Sequence, residues 1–273
     1  MSNSASAFAS GVNKVCCGVV SIVTPSGPIN VHYAQPDRLS DASTAILVLH
    51  GKDREAERYR DQWAVIAQER KILVVVPEFD VIRFAGWRRY NMAGMLDSKG
   101  KIRPRRKWLF ASLDTIRTQA ALLFGIRQFE LFGHSADAQL LFRYAMFNPH
   151  LPQHLPIMVA NAGWYTMPSA IWRFPYGLGS APEDVDLERF FSRPLTILVG
   201  DRDTDEGHHA LRRNAIADDQ GKTRLRRAKT CMEQAQRACT DLGWNLAWRL
   251  KIIDGATHSN SDVVDAIAAL KIL

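Results

Sequence analysis

Three side-chain types in this chain can carry out acyl transfer together: a serine, a histidine and a carboxylate. Ser135 follows the apolar run Phe129–Phe132 and the pair Gly133-His134. Asp201, Asp203 and Asp205 follow the run Leu195–Val199 and Gly200. His258 follows Trp248–Ile253 and the polar stretch Asp254 to Thr257. A serine hydroxyl is a weak nucleophile at its own pKa. It needs an imidazole to take its proton and a carboxylate to hold that imidazole in one tautomer. The order along the chain is serine, acid, histidine, the order of strand-to-helix nucleophile turns.

An acyl-transfer site also needs donors for the negative charge that develops on the substrate oxygen. Ala136 starts the helix after Ser135, so its N–H has no partner within that helix and lies at the positive end of the dipole. The second donor is expected from the backbone N–H of Lys52, just beyond Ala45–Leu49 and His50-Gly51. Trp164 and Tyr165, after Ile157–Ala160, are candidates to line a substrate pocket.

These residues must be positioned by elements, and the chain alternates strand and helix patterns. Ala45–Leu49 (AILVL) and Ile72–Val76 (ILVVV) are continuous apolar runs, as suits strands buried on both faces. Val19–Val23 and Ile29–Tyr33 predict a hairpin turning at Pro25-Ser26-Gly27. Helices are expected over Arg54–Arg70, Ser112–Phe124, Ala136–Phe147, Lys222–Leu242 and Ser261–Leu270. The fold class is therefore α/β: a mostly parallel twisted sheet with helices on both faces and long loops or a small cap over the strand ends. Sites in such sheets form at the carboxyl ends of the strands. The expected organisation is a flexible segment over 1–14 and one domain over 15–273, with a possible small cap at 164–193. Residues 80–109 are expected to be irregular.

At these residues the chain resembles the α/β-hydrolase fold superfamily, on its esterase side, near the polyhydroxybutyrate-depolymerase-like and dienelactone-hydrolase-like enzymes. The resemblance covers residues 15 to 272. It rests on AILVLHG, ELFGHSA, LTILVGDRDTD and DGATHSN, each after a suitable strand. It implies Ser135 as nucleophile, His258 as base and Asp203 as the acid, with Asp201 and Asp205 as competitors. It implies a serine hydrolase cleaving a carboxylic ester of a small molecule through an acyl-enzyme, with no cofactor and no metal. The alternative is a non-catalytic member binding a ligand or a partner. One position departs from the pattern: Asp137 stands where the nucleophile turn G-x-S-x-G ends in glycine. That carboxylate either serves the helix dipole as a first-turn acid or opposes the reaction.

Composition sets the outer limits. The 273 residues are 47% hydrophobic and 23% charged, which is enough apolar side chain for a large core and excludes bulk disorder. No apolar run approaches the roughly 18 residues that span a bilayer. MSNSASAFAS has neither the basic nor the apolar region of a secretory signal, so the cytoplasm is the expected location. The net charge is +7, with basic clusters at Arg88-Arg89, Arg103 to Lys107 and Arg224 to Lys229. They are expected to solvate loops and helix faces rather than bind nucleic acid. Cys16, Cys17, Cys231 and Cys239 are expected as thiols. The aspartate run lacks the glycine and glutamate of a calcium loop, and His208-His209 is a weak metal candidate. His50 and His134 read as packed histidines. Oligomeric state is not encoded in any pattern here.

Overall fold

The structure is a computed structural model that describes residues 15–270, so the segment expected to be flexible at 1–14 lies outside the described residues. Eight strands form one sheet in the order β1-β2-β4-β3-β5-β6-β7-β8. They are β1 Cys16–Thr24, β2 Gly27–Gln35, β3 Thr44–Leu49, β4 Leu73–Pro77, β5 Gln128–His134, β6 Ile157–Ala160, β7 Leu195–Gly200 and β8 Arg249–Ile253. The β1–β2 and β2–β4 pairs are antiparallel, and the remaining pairs are parallel.

The helices are α1 Ala56–Arg70, α2 Gly86–Arg89, α3 Phe110–Phe124, α4 Ala136–Phe147, α5 Leu187–Phe191, α6 Ala215–Asp219, α7 Arg224–Leu242 and α8 Asn260–Leu270. The unbroken apolar run of β3 has a direct cause. Ala45, Leu47 and Leu49 belong to the apolar cluster on the face that holds α3, α4 and α7, while Ile46 and Val48 belong to the cluster on the other face with Trp63 and Ile66 of α1 and Val263 and Ile267 of α8. A strand covered on both faces has no polar alternate.

Register brings the functional loops to one edge. Leu49 pairs with Gly133, His134 with Ala160, and Gly200 with Ile253. The chains leaving β3, β5, β6, β7 and β8 therefore emerge side by side.

Two expectations are corrected. Residues 80–109 are not a plain irregular loop: they hold α2, a single 3₁₀ turn at Arg105–Lys107 and a bridge between Leu96 and Ile102. Tyr90, Met92, Ala93 and Met95 are wholly buried there, which anchors the segment in the core. The basic run at the start of α7 is only partly a solvated face: Arg226 is exposed, but Arg224 and Arg227 are buried. Arg227 donates to the Gly163 and Gly221 carbonyls and pairs with Asp218. The short helices α2, α5 and α6 fall where no clean period marks them, since one or two turns carry too few residues to show one. Cys16, Cys17, Cys231 and Cys239 are free. Among the described residues no helix is long and apolar enough to cross a membrane.

Candidate active site

Ser135 sits between β5 and α4 with φ 57° and ψ −105°. A non-glycine residue here is strained by roughly 1–3 kcal/mol. The turn is held by the Ser135 N–H, which donates to the Ala160 carbonyl at 2.9 Å. It is also held by close packing: a Cβ on Gly133 would lie 2.5 Å from the Asp137 carbonyl oxygen. Only glycine lets α4 approach the strand this closely.

The structure brings Ser135, His258 and Asp203 together. Ser135 Oγ lies 3.0 Å from His258 Nε2, and His258 Nδ1 lies 2.8 Å from Asp203 Oδ2. An ionised carboxylate only accepts, so Nδ1 carries the ring proton and Nε2 is left to accept from the serine. Asp203 is buried, and Arg224 donates from Nη1 to its other oxygen at 3.0 Å. Burial alone would raise the Asp203 pKa. The hydrogen bond and charge of His258, with the Arg224 guanidinium, outweigh it and hold the carboxyl below its ordinary value. Asp201 uses its N–H to bond the Ile253 carbonyl, and Asp205 Oδ1 accepts from the Gly207 N–H. Neither competitor contacts His258.

The histidine loop is fixed by residues that no motif marks. Asn161 is fully buried; its amide donates to the Thr257 carbonyl at 3.1 Å and accepts from the Gly200 N–H at 3.0 Å. His134 Nε2 donates to the His258 carbonyl at 3.0 Å, and Tyr59 donates to His134 Nδ1 at 2.7 Å. Burial, then the charge of His258, lower the His134 pKa from 6.5 to about 3. The ring is therefore a neutral strut.

Two adjoining cavities lie near the serine, and the first contains it. One, of about 200 Å³, is lined by Gly51, Lys52, Tyr59, Ser135, His208 and His258 among others. The second, of about 400 Å³, shares Lys52, His209 and Ala210 with the first. Lys52 Nζ lies 2.7 Å from His209 Nε2 across the boundary. The second cavity is lined by Lys52, Arg54 and Arg212, with Trp87 and Trp164, and carries no acidic side chain. Behind it lies Arg143, fully buried, whose Nη1 donates to the Asn91 and Gln139 carbonyls. Its guanidinium stacks 4.2 Å from the Trp164 ring. Among the described residues Arg143 has no carboxylate partner, and its Nε and Nη2 are buried without acceptors. Burial lowers its pKa from 12.5 to about 9. Trp164 is thus at the cavity wall. Tyr165 is a correction: it lines neither cavity, packs on Phe142 at 5.3 Å and is held through its backbone by Gln220.

Asp137 stands in the first turn of α4, is fully buried and accepts from the Tyr90 hydroxyl at 2.5 Å. Burial raises its pKa well above the ordinary carboxylate value, against the Tyr90 hydrogen bond and the Arg54 charge. His50 is packed as expected; burial lowers its pKa to about 4. Among the described residues no group of three or more His, Cys, Asp or Glu side chains could hold a metal ion.

No protein-family profile and no curated protein sequence matches the chain. Solved structures do. Poly(aspartic acid) hydrolase-1 from Sphingomonas sp. KT-1 is 33% identical, with 95% of this chain and 98% of that chain covered at a TM-score of 0.87. A poly(3-hydroxybutyrate) depolymerase from Bordetella parapertussis is 29% identical, with 95% and 91% covered at 0.86. An S-formylglutathione hydrolase from Staphylococcus aureus, 11% identical with 94% and 95% covered at 0.54, shares the fold alone.

Proposed function

The chain belongs to the esterase-like α/β-hydrolase family of poly(aspartic acid) hydrolase-1 and is a hydrolase, and we propose that it works as a serine hydrolase with Ser135 as nucleophile. The observation that carries the proposal is the hydrogen-bonded line from Ser135 Oγ through His258 to Asp203. Ser135 Oγ bonds to the substrate carbonyl carbon while its proton passes to His258 Nε2. The carbonyl oxygen gains the electron pair and is held by the N–H groups of Ala136 and Lys52. Collapse breaks the bond to the leaving alcohol, which takes the proton from His258. Water then attacks the acyl-enzyme through the same base and returns the serine. Asp203 keeps the imidazole oriented and stabilises its charge without taking the proton.

The substrate we propose is a carboxylic ester that carries a carboxylate near the scissile bond. The cavity next to the serine's own has only basic residues among its charged side chains and is backed by a buried arginine without a carboxylate partner, which favours an anion over a neutral group. The relative's named substrate, poly(aspartic acid), is a chain of carboxylates.

The experiment compares p-nitrophenyl esters of succinate and of valerate, similar in length and differing in the terminal carboxylate, with the wild type, Ser135→Ala and Arg212→Ala. The expected result is that the succinate ester is preferred, that Arg212→Ala and added salt reduce the preference, and that Ser135→Ala is inactive on both. Equal turnover of both esters, independent of salt, rejects the anionic substrate. Activity in Ser135→Ala rejects the serine mechanism.

A further inference from the structure

The β3–β5 ladder ends at Leu49 and Gly133, so the segments carrying Lys52 and Ala136 run on without a shared backbone bond. One side chain ties them together. The Tyr90 hydroxyl lies 2.9 Å from the His50 carbonyl, two residues before Lys52, and 2.5 Å from Asp137 Oδ2, one residue after Ala136.

The same hydroxyl organises the peptide that presents Lys52. The Phe79 N–H donates to His50 Nε2 at 3.3 Å, which places the ring proton on Nδ1. Nδ1 lies 2.5 Å from the Tyr90 oxygen and 3.1 Å from the Gly51 carbonyl. The Gly51 carbonyl also accepts from the Arg54 N–H at 3.3 Å. That carbonyl belongs to the same planar peptide as the Lys52 N–H, so fixing one aims the other. Arg54 completes the lock: its guanidinium stacks 3.2 Å from the Tyr90 ring centroid, Nε donates to the Lys52 carbonyl, and its two terminal nitrogens donate to the Phe79 and Phe84 carbonyls.

Asp137 is the other end of the tie. Its Oδ1 is buried without a partner, and it accepts on Oδ2 from Tyr90. Tyr90, Arg54 and Tyr59 are the charged or titratable groups that act on it.

We propose that Tyr90 and Asp137 form a clamp that fixes the spacing and aim of the Lys52 and Ala136 N–H groups, as positioning residues for the reaction at Ser135. The clamp explains why aspartate replaces the glycine of the nucleophile turn: the side chain reaches across to the neighbouring loop. It rests on the reading of Ser135 as nucleophile.

The test measures kcat and KM on one p-nitrophenyl ester for the wild type, Ser135→Ala, Tyr90→Phe, Asp137→Ala and Asp137→Asn, with thermal melts. A trifluoromethyl ketone, which forms a tetrahedral oxyanion on serine, reports on the donors directly. Tyr90→Phe keeps the ring under Arg54 and removes only the hydroxyl. It is expected to lower kcat by about tenfold or more, to leave KM within about twofold, and to weaken the ketone in proportion to kcat/KM. Asp137→Ala is expected to behave alike, and Asp137→Asn to rescue most of the loss because its amide oxygen accepts the same proton. Tyr90→Phe at wild-type kcat, or with the loss confined to KM, overturns the clamp. So does Asp137→Asn as impaired as Asp137→Ala. Activity in Ser135→Ala brings down the serine reading itself, whereas an inactive Ser135→Ala beside a normal Tyr90→Phe brings down the clamp alone.

Discussion

Arg224 Nη1 lies 3.0 Å from Asp203 Oδ1, and the two side chains are 1% and 2% exposed. The other oxygen of the same carboxylate accepts from His258. Removing one partner of a buried pair leaves the other charge unmatched and costs about 3–5 kcal/mol. Arg224→Gln is therefore expected to lower the melting temperature clearly and to reduce kcat, because Asp203 loses the donor that fixes its second oxygen. A thermal melt with kcat for the same sample checks this. An Arg224→Gln protein with wild-type melt and kcat would show the pair to be idle.

The Tyr59–His134 strut supports the catalytic loop from behind. Tyr59→Phe removes the donor to His134 Nδ1 and leaves a buried acceptor unsatisfied, a cost of about 1–3 kcal/mol. The expected outcome is lower stability and a kcat reduced by less than about tenfold, since the His258–Asp203 bond stays. Denaturant titration and steady-state kinetics measure the two effects.

Three buried groups contribute to the pH dependence of stability. His50 and His134 stay neutral in the folded state down to about 4 and about 3, against 6.5 unfolded. As pH falls below 6.5 the unfolded chain takes up protons that the folded chain refuses, so stability falls, by about 1.4 kcal/mol per pH unit for each histidine. Asp137 acts in the opposite sense. Its folded pKa is raised, so above its unfolded value the folded chain keeps a proton that the unfolded chain loses, and its contribution falls as pH rises. Asp137→Asn removes this opposing contribution and is expected to make stability fall more steeply as pH drops below 6.5. Urea unfolding across the range reads it.

Arg143 is buried without an anion of its own. A buried charge without a counter-ion keeps its desolvation cost, and an apolar side chain of similar length removes that cost. Arg143→Met is expected to melt no earlier than the wild type and to lose most of its preference for the succinate ester over the valerate ester. The melt and the ratio of kcat/KM values on the two esters are the measurements.

The sheet was legible because its strands are buried on both faces: AILVL and ILVVV have no polar alternates to blur them. The nucleophile turn was legible because glycine and serine follow an apolar strand directly. Arg224 was not, since a basic run on a helix looks the same whether it meets water or a carboxylate 21 residues away. Tyr90 and Asp137 are 47 residues apart, and only the parallel register and the buried path of residues 90–95 bring them together. Tyr165 was misread because aromatic composition does not say which side of a wall a ring faces.

The central claim is that Ser135 is the nucleophile, and covalent labelling tests it most directly. A fluorophosphonate is added in stoichiometric amounts, residual esterase activity is followed, and the adduct is mapped by peptide mass spectrometry. The account predicts one adduct per chain, on Ser135, formed in step with loss of activity and absent from Ser135→Ala. Loss of activity with Ser135 unmodified, or an active Ser135→Ala protein, would contradict it.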